Sequence, residues 1–226
     1  MNAILAMLNI YIDPKASVDR FAGRKWAWIW PVLVMGVVTV VISLNTSPIA
    51  MRLLLQNPPE GTNVQQLQQR MGLIETINKV AAFGSPLIVA GMIALSALVL
   101  LGACAVMDVK AKFGELFCLL SHCSLVSFLQ AVAGFAVIML RRDDLQSLKE
   151  LQPSFGLDLL LPEGTSKILQ ASLGYFSIFT VWYIIILGLA FAYLMKVPKS
   201  KAYSATAPVW ILGMIFAVVF SFFRQT

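Results

Sequence analysis

From Leu173 to Met195 the chain reads LGYFSIFTVWYIIILGLAFAYLM, without one formal charge. At about 1.5 Å per helical residue, this stretch is long enough to cross a bilayer core of roughly 30 Å. Such a run has to be a membrane helix, because in lipid every backbone N–H and C=O must find its partner within the segment. Lys196, Lys199 and Lys201 follow at once. A basic cluster tight against a span belongs on the cytoplasmic side, so this one segment gives every other span a direction.

Composition agrees with a membrane protein. Of 226 residues, 59% are hydrophobic and 12% charged, against about 25% charged in soluble domains. The net charge of +6 does not indicate nucleic acid: the 17 Lys and Arg lie scattered at the ends of apolar runs and form no basic face. Cys104, Cys118 and Cys123 all lie in or beside apolar segments, which argues against a disulfide framework.

The chain is expected to be an all-α bundle with five spans, at about residues 26–44, 80–107, 116–140, 168–195 and 203–223, with outer loops at 45–79 and 141–167. Residues 1–25 form a cytoplasmic or interfacial segment ahead of the 26–226 transmembrane domain. Asn2–Ile12 has no basic region before it and no small-residue cleavage site after it, so a signal peptide is not expected. Asp13 as N-cap, Pro14 at the first helical position and Gly23 as a stop define a short helix. Its Val18 and Phe21 share a face and are expected to anchor in the membrane interface, together with Trp26, Trp28 and Trp30 at the entrance of the first span. In the first outer loop, Gln56–Gly61 reads as a turn and Asn63–Asn78 as an amphipathic surface helix, since Val64, Leu67, Met71, Ile74 and Ile77 recur every three or four residues. In the second, Arg142–Gln152 suits a short solvated helix.

Small residues mark the packing surfaces. Gly84, Gly91 and Ala94 in the second span, Ser124, Ser127, Ala131 and Gly134 in the third, and Gly188 in the fourth would let helices approach closely, within the bundle or against a partner. Polar groups inside spans are few. His122, Gln130, Ser177 and Thr180 are candidates for a polar lining, with interhelical hydrogen bonding as the simpler role. Cys118 and His122 stand four apart on one helix face, but a metal site needs three or four ligands and the chain holds one histidine. Neither metal nor cofactor is expected. Paired carboxylates, a nucleophile beside a base and a phosphate-binding glycine loop are all missing, so no enzyme is expected.

Counting Lys and Arg across this topology gives nine inside and eight outside. The inside residues sit in short segments against the spans, where the positive-inside rule has force; Arg141-Arg142, outside, runs against it. The N-terminus is expected in the cytoplasm and the C-terminus outside.

Two stretches, Ile12-Asp-Pro-Lys-Ala-Ser-Val-Asp-Arg-Phe21 and Phe176-Ser-Ile-Phe-Thr-Val-Trp182 with Gly188 following, resemble the Yip (Ypt-interacting protein) family in its bacterial branch. The resemblance covers nearly the whole chain. It implies a five-helix integral membrane protein of the inner membrane, with no catalytic residues, that serves as accessory or adaptor to other membrane proteins. Some relatives accompany ABC exporters of the MacB type and their periplasmic adaptors. The Asp-Leu-Tyr-Gly-Pro signature of the eukaryotic members is absent, so binding of small GTPases is not carried over. Self-association is compatible with the same faces. The alternatives are a small transporter or channel, disfavoured by the lack of charge in the span cores and of an internal repeat, and a membrane-organising protein acting alone.

Overall fold

The computed structural model describes residues 2–58, 64–162 and 165–223, and among these residues there are eight α-helices. They are α1 (Asn2–Asn9), α2 (Pro14–Phe21), α3 (Ile29–Gln56), α4 (Val64–Val106), α5 (Phe113–Leu140), α6 (Lys167–Tyr175), α7 (Ile178–Met195) and α8 (Lys199–Phe223). Single 3₁₀ turns at Leu148–Leu151 and Leu157–Leu160 punctuate the connection from α5 to α6. Five of the helices contain stretches long and apolar enough to cross a membrane: α3, Gln69–Val106 of α4, α5, α7 and Lys199–Val219 of α8.

The helices run past several expected boundaries. α3 continues through Asn45, Thr46 and Pro48 to Gln56. Two of these polar side chains bond back onto their own helix: Asn45 Nδ2 donates to the Val41 carbonyl (2.8 Å) and Thr46 Oγ1 to that of Ile42 (2.9 Å). That is how a helix tolerates polar residues without breaking. The amphipathic surface helix is no separate element either; it is the first part of the 43-residue α4. Pro59–Asn63, half of the expected turn and the start of that helix, lies outside the described residues. Conversely, the fourth span is interrupted, with α6 and α7 parted at Phe176–Ser177.

The contacts divide the chain into two units. The first comprises Met1–Val32, Ala90–Gln130 and Ser154–Thr226. Its core is built from Leu116, Leu119, Leu120 and Val126 of α5 with Leu187 and Phe191 of α7, all closed to solvent. α7 and α8 form a hairpin whose turn is made by Lys196 in the left-handed region (φ 53°) and by Pro198. In it the Tyr203 ring lies over Gly188: a Cβ there would stand 2.2 Å from Tyr203 Cε1. The second unit, Leu33–Val89 with Ala131–Pro153, packs Gly36 of α3 against Pro86 of α4, where a Cβ would come within 2.9 Å of the proline ring. Leu53, Ile138 and Leu145 make its small buried cluster.

Candidate functional site

The interruption of the fourth span gathers three of the four polar residues singled out above. Ser177 is the N-cap of α7, in extended conformation (φ −85°, ψ 165°), and its Oγ accepts the N–H of Thr180 at 3.1 Å. The same hydroxyl donates to Gln130 Oε1 on α5 at 2.6 Å and lies 3.2 Å from Thr180 Oγ1. One small side chain therefore caps a helix and ties it to its neighbour. The loop from α5 closes over the junction: Gly156 pairs with Ser177 in an isolated antiparallel bridge, and its backbone lies on Gly174. A Cβ on Gly156 would fall 2.4 Å from the Gly174 carbonyl oxygen, so only glycine fits. Ser154 holds this loop, its Oγ donating to the Asp158 carboxylate and accepting the Gly156 N–H at 3.2 Å.

His122 does not belong to this cluster. It lies eight residues before Gln130 on α5, about 12 Å away along the axis. It is 1% exposed, and its Nδ1 donates to the Cys118 carbonyl at 2.9 Å, which sets the tautomer. Cys118 Sγ stands 3.9 Å from the same nitrogen. Among the described residues no three His, Cys, Asp or Glu side chains are grouped to hold a metal ion.

The ring of His122 stacks instead on Phe21 of α2, with centroids 4.4 Å apart. This corrects the expected interfacial face: Val18 and Phe21 are 4% and 2% exposed because α2 turns them inward, against protein rather than lipid. α1 and α2 form a hairpin held by Ser17 Oγ, which donates to the Ala6 carbonyl at 2.7 Å, and docked by Tyr11, whose hydroxyl donates to the Leu125 carbonyl at 3.2 Å and whose ring meets Trp182. Trp26 and Trp30 are 71% and 51% exposed, whereas Trp28 packs edge-on against Phe117.

The family model for the Yip1 domain matches residues 8–220, from the α1–α2 hairpin to the end of α8. The chain belongs to the Yip1 domain family. Neither a curated protein nor a solved structure matches it.

Within this Yip1 domain the small residues divide by surroundings. Gly188 is buried under Tyr203, whose hydroxyl donates to the Ile185 carbonyl at 3.2 Å. Gly134 is buried, Ser124, Ser127 and Ala94 are half-buried, and Ala131 is exposed. Gly84 and Gly91 face open space, with no atom within 4 Å of where a Cβ would stand. Three close glycine contacts escaped sequence reading: Gly156 on Gly174, Gly36 on Pro86, and Gly213 against the Tyr175 hydroxyl, 2.5 Å from where a Cβ would stand. Glycine in a loop or mid-span is visible in a sequence, but which distant residue approaches it is not.

The site's chemistry is that of a clasp. The Ser177 hydroxyl spends its proton on Gln130 and its acceptor capacity on Thr180, and no titratable base stands among these partners. Without a base beside it the hydroxyl is not an activated nucleophile, and its own proton is committed to Gln130.

Proposed function

We propose that this Yip1-domain protein is a non-enzymatic accessory subunit of the inner membrane that binds other integral membrane proteins. The resemblance to relatives that accompany ABC exporters makes a MacB-type exporter with its periplasmic adaptor the partner class of first choice. The observation that carries the reading is the open face of α4 around Gly91. Leu98 and Gly102 lie seven and eleven residues on from Gly91, within about 20° on the helical wheel. Gly91 and Gly102 have no neighbour within 4 Å of a Cβ position, and Leu98 is exposed. In lipid, where covering apolar side chains gives no hydrophobic gain, such a glycine-lined face is useful to a second helix that approaches closely. The self-satisfied clasp at Ser177 favours this role over transport. In the orientation we propose, the N-terminal hairpin is cytoplasmic and the end of α8 lies outside.

The test is purification of the tagged protein from its own membranes in mild detergent, with identification of what stays bound. A stoichiometric membrane complex that is lost in Gly91→Leu supports the reading. Open space at Gly91 accommodates the leucine within the isolated fold, so loss of the partner is not loss of structure. Recovery of the protein alone, or a complex indifferent to Gly91→Leu, sinks it.

A further inference from the structure

The second unit contains a cavity of about 350 Å³ between the second half of α3 and the first half of α4. Its walls are of two kinds. Leu44, Pro48, Met51 and Met71 supply an apolar trough, and Arg52 and Lys79 supply two cations, with Glu75 the one carboxylate. Asn78 Nδ2 donates to Ser47 Oγ at 3.2 Å and ties the two helices together.

The depth of this cavity is informative. Arg52 lies 23 residues beyond Ile29, roughly 35 Å along α3, and Lys79 stands roughly 40 Å from the opposite end of α4 at Val106. A hydrocarbon core of roughly 30 Å therefore leaves both cations at headgroup level, with the trough beside them reaching toward the acyl chains. The cations are incompletely matched. Arg52 Nη2 donates to the Arg142 carbonyl, but its Nε is buried without a partner. Lys79 Nζ sits 2.7 Å from Glu75 Oε1 in a pair more than half exposed, an arrangement that holds Lys79 only weakly. The cavity keeps a formal charge of +1.

We infer that this cavity binds an anionic phospholipid, with the phosphate between Arg52 and Lys79 and one acyl chain along Leu44, Pro48, Met51 and Met71. The volume is at the lower end for a small-molecule site, enough for a phosphate and the first part of one chain, with the second chain left in the bilayer. Basic pockets between membrane helices take anionic headgroups for the same electrostatic reason.

The experiment is native mass spectrometry of the full-length, delipidated protein titrated separately with phosphatidylglycerol, phosphatidylcholine and inorganic phosphate. One phosphatidylglycerol per chain is expected to bind in preference to phosphatidylcholine. Lys79→Gln weakens it about fivefold, the equivalent of about 1 kcal/mol. Glu75→Gln removes the competing carboxylate and tightens it by a similar factor. Met71→Trp fills the trough and abolishes retention; Lys79 and Glu75 are exposed, so their variants report binding even if the tryptophan perturbs the fold. Equal binding of the two lipids overturns the inference, as does phosphatidylglycerol binding unchanged in Lys79→Gln and Glu75→Gln. Inorganic phosphate displacing the lipid at equal concentration overturns the acyl-chain part.

Discussion

Replacing Gly156 by alanine isolates the contact that closes the loop over the interrupted fourth span. Gly156 has φ −102° and ψ −177°, extended backbone that alanine adopts freely, so any cost comes from space alone. The added Cβ would stand 2.4 Å from the Gly174 carbonyl oxygen and 2.7 Å from its Cα, backbone atoms that cannot rotate away. To reach even the 3.0 Å that real Cβ atoms essentially never undercut, the two segments must part by roughly 0.6 Å, which pulls on the Gly156–Ser177 bridge and the cap of α7. Overpacking of this kind costs about 1–3 kcal/mol. For a domain of this size that lowers the midpoint of thermal unfolding by roughly 2–12 °C. Two control variants grade the effect. At Gly174 a Cβ would meet only the Asp158 carboxyl, at 3.3 Å, so Gly174→Ala should cost less; Gly91→Ala meets nothing and should leave the midpoint unchanged or raise it, since alanine is favoured over glycine in a helix by about 0.5–1 kcal/mol. The assay is a detergent-solubilised thermal melt of the three variants side by side. If Gly156→Ala melts with the wild type, or no lower than Gly91→Ala, the close approach and the argument built on it are wrong.

Three further outcomes are expected. Ser177→Ala removes the cap of α7 and leaves Gln130 without its donor, a loss of about 1–3 kcal/mol measurable in the same melt, whereas Ser177→Thr, which keeps the hydroxyl, should retain most of it. Phe21→Ala opens a hole against His122, costs about 3–5 kcal/mol of docking and should speed tryptic cleavage after Lys15 and Arg20 as α2 loosens; an unchanged cleavage rate would contradict the inward packing of α2. Burial raises the Tyr11 phenol above its ordinary 10.0, so the undocked hairpin loses this proton first. The contribution of Tyr11 to docking is therefore constant below pH 10 and is lost as pH rises beyond it; hydrogen exchange in α1 and α2 should show this loss in the wild type and not in Tyr11→Phe.

The helical type of the elements and the five spans were legible in the chain because each rests on a local signal. Asp13 and Pro14 announce α2, and the Asp13 carboxylate indeed accepts the Ala16 N–H at 3.0 Å. Uncharged runs announce the spans. Boundaries were less legible where membrane physics departs from the rules for soluble helices. Asn45, Thr46, Ser47 and Pro48 read as a loop, yet in α3 asparagine and threonine satisfy themselves on the preceding turn, and the helix passes through the proline. The break in the fourth span carries neither glycine nor proline at Phe176–Ser177; its local mark is Ser177, a residue type suited to an N-cap.

What the sequence determined by itself is the solvent, because length and lack of charge decide between water and lipid, and with it the all-helical class and the five spans. What only the tertiary structure decided is which side of a helix faces what. Phe21 has the same periodicity whether it enters lipid or stacks on His122, Gly91 and Gly188 are the same residue whether open or buried under Tyr203, and Ser177 ties α7 to α5 only because Gln130, 47 residues earlier, supplies its acceptor. Periodicity records that a face is apolar or small; it carries no information about the partner, which comes from chain segments far away in the sequence.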